Sequence, residues 1–237
     1  MRRVLALQHT WDDPPGHLDE ILHEYGIDCH VVEVEKEPVP ALEPYAACIV
    51  LGGPQHANAD DMHPYLVPEK ALIRAAIKQD IPYLGICLGG QLLAHAAGGQ
   101  VTRHHLAEIG FYRVELTAEG QADPLFASLP GYQQVIHWHM DVFSIPTGAI
   151  QLATSEHTPN QAFRFGRRAY GLQYHIELTP AMLDTWLRYP AYKQEIIEVS
   201  GLDTPEVIEQ QRAELYPVYR AHTRTLFENF LKIAELI

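Results

Sequence analysis

The sequence predicts an α/β fold: an open, mostly parallel sheet with helices on both faces, an antiparallel extension and a C-terminal helical addition. Three observations lead there. Short, continuous apolar runs at residues 46–51 and 82–86 read as strands buried on both faces, as in a parallel sheet. Between them Leu72, Ile73, Ala76 and Ile77 recur at helical spacing, the pattern of a crossover helix. Beyond residue 100 the segments shorten and alternate, as antiparallel strands do.

Taken in order, strands are expected near residues 3–8, 28–34, 46–51 and 82–86, with helices over 65–79 and 88–97. This alternation of strand and helix requires a sheet covered on both faces. Residues 100–104, 110–116, 133–138, 150–154, 160–165 and 168–174 are the expected short strands of the extension. From Pro180 onward the character is helical, interrupted at Gly201 and Pro205, and Leu226, Phe230, Ile233 and Ile237 form an apolar stripe. The plain reading is a helical cover for the back of the sheet. The functional alternative is a lid or dimer contact edged by Tyr189, Tyr192, Tyr216 and Tyr219; the oligomeric state stays open. No internal repeat or low-complexity linker divides residues 1–237, so one domain is expected.

Composition narrows the function. At 237 residues and 47% hydrophobic content the chain can bury one large core. Its net charge of −13 argues against a nucleic-acid or anionic-membrane surface. Three cysteines, Cys29, Cys48 and Cys87, make no disulfide framework and suggest a reducing, cytoplasmic compartment. The first apolar stretch is short and runs into Gln8-His9, which reads as a strand and not a signal peptide. No apolar segment approaches membrane-spanning length.

The chemistry concentrates at Gly85-Ile86-Cys87-Leu88-Gly89-Gly90-Gln91. A strand-to-helix turn at Cys87 would force strained backbone angles, and glycine on both flanks removes the Cβ atoms that would collide. This is the spacing of a nucleophile elbow with cysteine in place of serine. It sets the sulfur at a helix N-terminus, whose partial positive charge stabilises a thiolate. The alternative is a buried free cysteine of the core. Far downstream, His175 and Glu177 sit at the end of a strand-like run, two apart and so on one face. A carboxylate that takes one imidazole proton leaves the other ring nitrogen free to serve a thiol. By itself His-x-Glu is a weak signal, since a surface pair reads the same way. The run 46–51 ends in Gly52-Gly53-Pro54, at the edge of the sheet where open α/β folds hold ligands. The Gly53 and Leu88 amides are the expected oxyanion hole; a plain tight turn is the alternative.

The order Gly52-Gly53-Pro54, Gly85-x-Cys87-x-Gly89-x-Gln91 and Gly171-x-Gln173-Tyr174-His175-x-Glu177 resembles the class I glutamine amidotransferases, from the first strand to about Pro180. Gly98-Gly99, Asp123-Pro124-Leu125-Phe126, His137-Trp138-His139-Met140-Asp141 and Asn160-Gln161-Ala162-Phe163 fit as well. The similarity is greatest to stand-alone proteins related to the amidotransferase part of GMP synthetase. The resemblance implies Cys87 as nucleophile, His175 as base and Glu177 as its orienter, with Gln91, His139, Met140 and Asp141 near the substrate. Three positions depart from the pattern. Gly90 stands where the family often has histidine, Ile176 where it has proline, and Met140 where the synthetase group has glycine.

The expected activity is cleavage of the γ-amide of glutamine or of a γ-glutamyl compound through a γ-glutamyl thioester, with no cofactor. The alternative is a catalytically silent binding or regulatory protein on the same scaffold. No Ser-Gly-Gly-x-Asp-Ser pyrophosphatase motif occurs, so an ammonia-accepting synthase would have to be a separate partner. His104-His105 and His137-x-His139 have no further ligand at metal-binding spacing, and no metal site is expected.

Overall fold

The computed structural model describes residues 3–237. Among them nine strands form one sheet: β1 Arg3–Gln8, β2 Asp28–Glu33, β3 Ala47–Val50, β4 Tyr83–Ile86, β5 Val101–Leu116, β6 Tyr132–Phe143, β7 Ile150–Thr154, β8 Ala162–Phe165 and β9 Ala169–Leu172. The helices are α1 His17–Glu24, α2 Leu66–Gln79, α3 Leu88–Ala96, the short α4 Ala118–Ala122, α5 Pro180–Arg188, α6 Pro190–Ser200 and α7 Thr204–Ile233. The strand order is β2-β1-β3-β4-β9-β8-β7-β5-β6. Pairings from β2 to β9 are parallel; those from β9 to β6 are antiparallel. The parallel sheet, helical cover and antiparallel extension are therefore all present.

The all-apolar strands are buried because both faces are covered. On one face Leu18 and Ile21 of α1 and Phe227 and Phe230 of α7 pack against Val4, Ile49, Leu84 and Tyr170. On the other, Leu66 and Ile73 of α2 and Leu92 and Leu93 of α3 pack against Leu5, Leu7, Val50 and Tyr83. A third cluster joins Trp186, Ile196, Ile208 and Tyr219 of the helical addition to Ile109, Phe111 and Ile136 of the extension. The addition thus does two jobs: α7 closes the back of the sheet, and α5 and α6 lie over its antiparallel part.

Four sequence expectations need adjusting. Residues 100–104 and 110–116 are one strand, β5, whose register against β6 shifts between Arg103 and Glu108. A bulge absorbs the polar insertion without ending the ladder. β6 runs on to Phe143, so His139, Met140 and Asp141 are strand residues. The apolar stripe is buried at Leu226 and Phe230, but α7 ends at Ile233 and Ile237 is exposed. Of the four tyrosines, Tyr219 is buried in the core and only Tyr189 is well exposed.

The pairing that matters most is β4 with β9. Gly85 lies opposite Gly171 and Ile86 opposite Leu172, so both strands end together. The Cys87 amide then donates to the Leu172 carbonyl at 2.9 Å. Two motifs far apart in sequence are brought side by side by one parallel pairing.

Candidate active site

Cys87 occupies the turn between β4 and α3 with φ 49° and ψ −106°, in the left-handed region that non-glycine residues rarely enter. The neighbouring glycines make this affordable in space. A Cβ at Gly85 would overlap the Gly89 carbonyl, and one at Gly89 would overlap the Val50 carbonyl. At Gly90 a Cβ would stand 2.5 Å from the Leu172 oxygen, so α3 lies close on β9. The Cys87 sulfur is nearly buried and reaches the Trp138 carbonyl at 3.8 Å.

His175 follows β9 and is held there by a bridge to β6, its amide donating to the Ile136 carbonyl at 2.8 Å. Its Nδ1 lies 2.5 Å from Glu177 Oε1. The other Glu177 oxygen accepts from the Ile176 amide at 2.8 Å. Among the described residues no nitrogen or oxygen bonds to His175 Nε2; its neighbour is the Cys87 thiol. Burial opposes charge on the ring, yet the Glu177 carboxylate and the Cys87 sulfur outweigh it and raise the imidazole well above its ordinary value. Burial also opposes charge on Glu177, but the His175 charge and hydrogen bonds from His175 and Asp13 hold its carboxyl low. The arrangement favours an imidazolium beside the Glu177 carboxylate, with its other ring nitrogen turned to the Cys87 sulfur.

Glu177 is fixed from two sides. The His17 amide at the start of α1 donates to its carbonyl at 2.8 Å. One residue on, Leu178 is clamped by α7: its amide donates to the Tyr219 hydroxyl at 3.0 Å, and its carbonyl accepts from Tyr216 at 3.0 Å. The Gly52-Gly53 turn stands over the cysteine. A Cβ on Gly52 would lie 2.9 Å from His175 Cε1 and 3.6 Å from Cys87 Cβ. Among the described residues the Gly53 and Leu88 amides donate to no protein acceptor, and the Leu88 side chain lies against Gly53. The turn is held by His9, whose Nδ1 donates to the Gly52 carbonyl at 3.1 Å while Nε2 lies 3.0 Å from both Glu69 oxygens.

The remaining expected residues also line the cleft, with different degrees of freedom. Gln91 is buried and its amide donates to the Asp141 carbonyl at 3.1 Å, tying α3 to β6. Met140 faces the cleft beneath Arg103, whose Nη2 lies 2.9 Å from its sulfur. The Asp141 carboxylate lies between His56 at 3.4 Å and Arg103 at 3.7 Å. His139 turns its Nε2 inward to Glu108 at 2.9 Å and its Nδ1 to the Asp141 carbonyl at 3.2 Å.

That contact corrects one expectation. The sequence offered no third ligand beside His137 and His139, but the bulge in β5 brings Glu108 to them, and the three form a buried group that could hold a cation. Their own contacts already satisfy much of the group. His137 Nδ1 lies 3.0 Å from His139 Nε2, and Glu108 accepts from Gln161 at 3.0 Å. Despite burial, hydrogen bonding from His139 and the histidine charges hold the Glu108 carboxyl down at about 2.

Two participants escaped the sequence reading. Asp13 is buried beside His175 and Glu177, and its carboxyl is raised well above the usual range by burial and then by the Glu177 charge. Trp186 packs edge-on against the His175 ring, centroids 4.9 Å apart, and its Nε1 donates to the Asp12 carbonyl at 3.1 Å. A signal for Asp13 existed: Asp12-Asp13-Pro14-Pro15 follows β1 at the carboxyl edge of a parallel sheet. Trp186 had none, because its helix lies outside the motif-bearing core.

Comparison with known proteins gives the family. The family described as glutamine amidotransferase class-I matches residues 17–188. A glutamine amidotransferase-like protein of Salmonella typhimurium, YfeJ, is 32% identical over 180 residues, covering 75% of this chain and 74% of its own. The glutamine-hydrolyzing GMP synthase of Bacillus subtilis is 34% identical over 161 residues, which is 66% of this chain but 29% of the synthase. A solved glutamine amidotransferase from Thermotoga maritima superposes with TM-score 0.87 at 32% identity over 98% of both chains. Another from Methylobacillus flagellatus gives 0.87 at 30% identity, over 98% of this chain and 95% of that one. With a family model matched over residues 17–188, a relative 32% identical over three quarters of the chain and a solved structure superposing over nearly all of it, the chain belongs to the class I glutamine amidotransferase family.

Proposed function

We propose that this protein hydrolyses the side-chain amide of glutamine or of a γ-glutamyl compound through a Cys87-His175-Glu177 triad. The observation that carries the reading is the convergence of a strained Cys87 and His175 in one cleft at the ends of β4 and β9, with Glu177 buried behind the ring 2.5 Å from its Nδ1. The Cys87 thiolate attacks the γ-carbonyl, and the oxyanion forms against the Gly53 and Leu88 amides. The γ-carbon–nitrogen bond then breaks as His175 Nε2 gives its proton to the leaving amine. Water, deprotonated by His175, releases glutamate from the γ-glutamyl thioester and restores the thiol.

The family relation to GMP synthases raises a second role, a subunit that passes ammonia to a separate synthase. One feature favours independent hydrolysis: Trp186, Tyr192 and Glu195 of α5 and α6 line the cleft, so the chain supplies that wall of it without a partner. The deciding experiment is steady-state kinetics on glutamine and a panel of γ-glutamyl amines, without any partner, with Cys87→Ala beside the wild type. Turnover of the conjugates that is lost in Cys87→Ala supports the hydrolase. Weak glutaminase activity alone, rising when cell extract is added, supports the subunit. Failure of an electrophilic glutamine analogue to label Cys87, with no turnover, supports a silent binding protein.

A further inference from the structure

Two connected groups of side chains line the cleft around Cys87. In the first, Gln91 donates to the Asp141 carbonyl, and Arg103 lies beside the Asp141 carboxylate and over Met140. The second begins at His175 and is aromatic. Trp186 packs on its ring, Trp138 on Trp186 with centroids 5.3 Å apart, and Tyr192 on Trp138 at 5.9 Å. This wall carries acid. Asp12 is buried at its base, accepting from the Thr10 hydroxyl at 2.5 Å and interacting with Tyr192, while Glu195 stands on the same helix as Tyr192.

The charges of a γ-glutamyl substrate can be assigned to these groups. The glutamyl half brings one α-carboxylate and one α-amine. Among the described cleft-lining residues Arg103 is the one lysine or arginine, and Asp141 lies next to it. That pair suits the two α-substituents. With Arg103 so engaged, no second lysine or arginine among the described residues lines the cleft for the leaving amine, which emerges beside His175, its proton donor. There it meets Trp138, Trp186 and Tyr192 with Asp12 and Glu195, and neither acid forms an ion pair among the described residues. Burial raises the Glu195 carboxyl, and positive charge beside it, that of Arg103 or of a bound ammonium, acts against that rise. Aromatic faces with acidic groups held in no ion pair suit an organic cation with an apolar stem, and they disfavour an anion.

We propose that Asp12, Trp138, Trp186, Tyr192 and Glu195 form a subsite for the leaving amine, and that it takes a diamine or polyamine carried as its γ-glutamyl amide. This rests on the hydrolase reading above and names its substrate class. The chemistry is unchanged: the γ-carbon–nitrogen bond breaks, His175 protonates the nitrogen, and the second ammonium never enters the reaction. An α-amino acid or other anionic amine is the disfavoured leaving group.

The test compares kcat/KM for four substrates: γ-glutamyl-1,4-diaminobutane, the neutral isostere γ-glutamyl-butylamide, γ-glutamyl-4-aminobutyrate and glutamine. The diamine conjugate is expected to exceed the butylamide by about tenfold and the aminobutyrate by more. In Glu195→Gln and Asp12→Asn the ratio of diamine conjugate to butylamide should fall towards one. A butylamide or aminobutyrate conjugate cleaved as well as the diamine conjugate overturns the subsite, as does glutamine turnover with no conjugate cleaved; either leaves Cys87 amide hydrolysis standing. Should no substrate turn over, the hydrolase reading fails, and the subsite is judged by alkylation of Cys87. Slowing by 1,4-diaminobutane but not by 4-aminobutyrate supports it, and equal rates overturn it.

Discussion

Asp13 and Glu177 place two buried carboxyl groups beside the His175 ring, with their oxygens and the ring nitrogen all within 4.8 Å of one another. Two carboxylates cannot both ionise cheaply at that spacing. The imidazolium holds the Glu177 carboxyl low, whereas burial and the Glu177 charge raise that of Asp13, so Asp13 is the one of the two that favours the protonated form. Glu177 is thereby held in line, and its negative charge is shared instead of falling wholly on His175.

Asp13→Asn should therefore preserve the donor and retain most activity, whereas Asp13→Ala should lose about tenfold or more in kcat/KM and shift its pH profile. The stability consequence has a definite sign. The folded protein holds a proton on Asp13 that the unfolded chain releases in the ordinary carboxyl range, so this contribution is full below that range and falls as pH rises towards the folded value. Thermal unfolding between about pH 5 and 8 should show Asp13→Asn gaining on the wild type as pH increases. A constant gap would show that Asp13 is ionised in the fold.

Cys87→Ala should reduce amide hydrolysis by about 10⁴-fold or more while the fold persists. The small side chain also relieves no essential contact, since the strain at this position belongs to the turn. Circular dichroism beside single-turnover kinetics separates loss of chemistry from loss of structure.

Gly52→Ala should be nearly as damaging without touching a reacting group. Its Cβ would lie 2.6 Å from Asp13 Oδ2 and 2.9 Å from His175 Cε1, so the histidine must move from Cys87. Displacement by about 1 Å from the reacting geometry costs about a hundredfold. The check is kcat together with the rate of Cys87 alkylation, which reports the reactivity of the sulfur beside His175.

His9 should stabilise the same turn in a pH-dependent manner. Burial lowers its imidazole, but the Glu69 charge and hydrogen bond and the Gly52 carbonyl outweigh this and raise it. A raised histidine contributes fully below its unfolded value, about 6.5, and the contribution is lost as pH climbs through the folded value. Glu69→Gln should cost about 3–5 kcal/mol at the acid end of that range. The deficit in unfolding free energy should narrow with alkalinity.

Tyr219→Phe should strand the buried Leu178 amide and cost about 1–3 kcal/mol. Since Leu178 adjoins Glu177, kcat should fall with stability. Tyr216→Phe removes a half-buried donor to the Leu178 carbonyl and should cost about 1 kcal/mol. Denaturant unfolding of both variants tests whether α7 supports the site or merely covers the sheet.

The elements carrying their own local signal were legible in the sequence. Strands β1, β3 and β4 are apolar runs whose composition requires burial on both faces, and α2 shows its periodicity. The elbow at Cys87 could be read because glycines at fixed offsets serve a steric need that is local to the turn. His175 and Glu177 were legible as a pair because two-residue spacing alone puts them on one face. Tertiary structure decided what depends on distant chain segments. The β4–β9 pairing sets Cys87 against His175, a bulge in β5 carries Glu108 to His137 and His139, and the loop after β1 brings Asp13 to Glu177. α5 and α6 wall the cleft with Trp186 and Tyr192, of which the sequence offered only Tyr192, as one edge of a lid or dimer contact. Local sterics and periodicity act over a few residues and are written in sequence order, whereas electrostatic coupling and cleft shape depend on distances through space that only the folded chain defines.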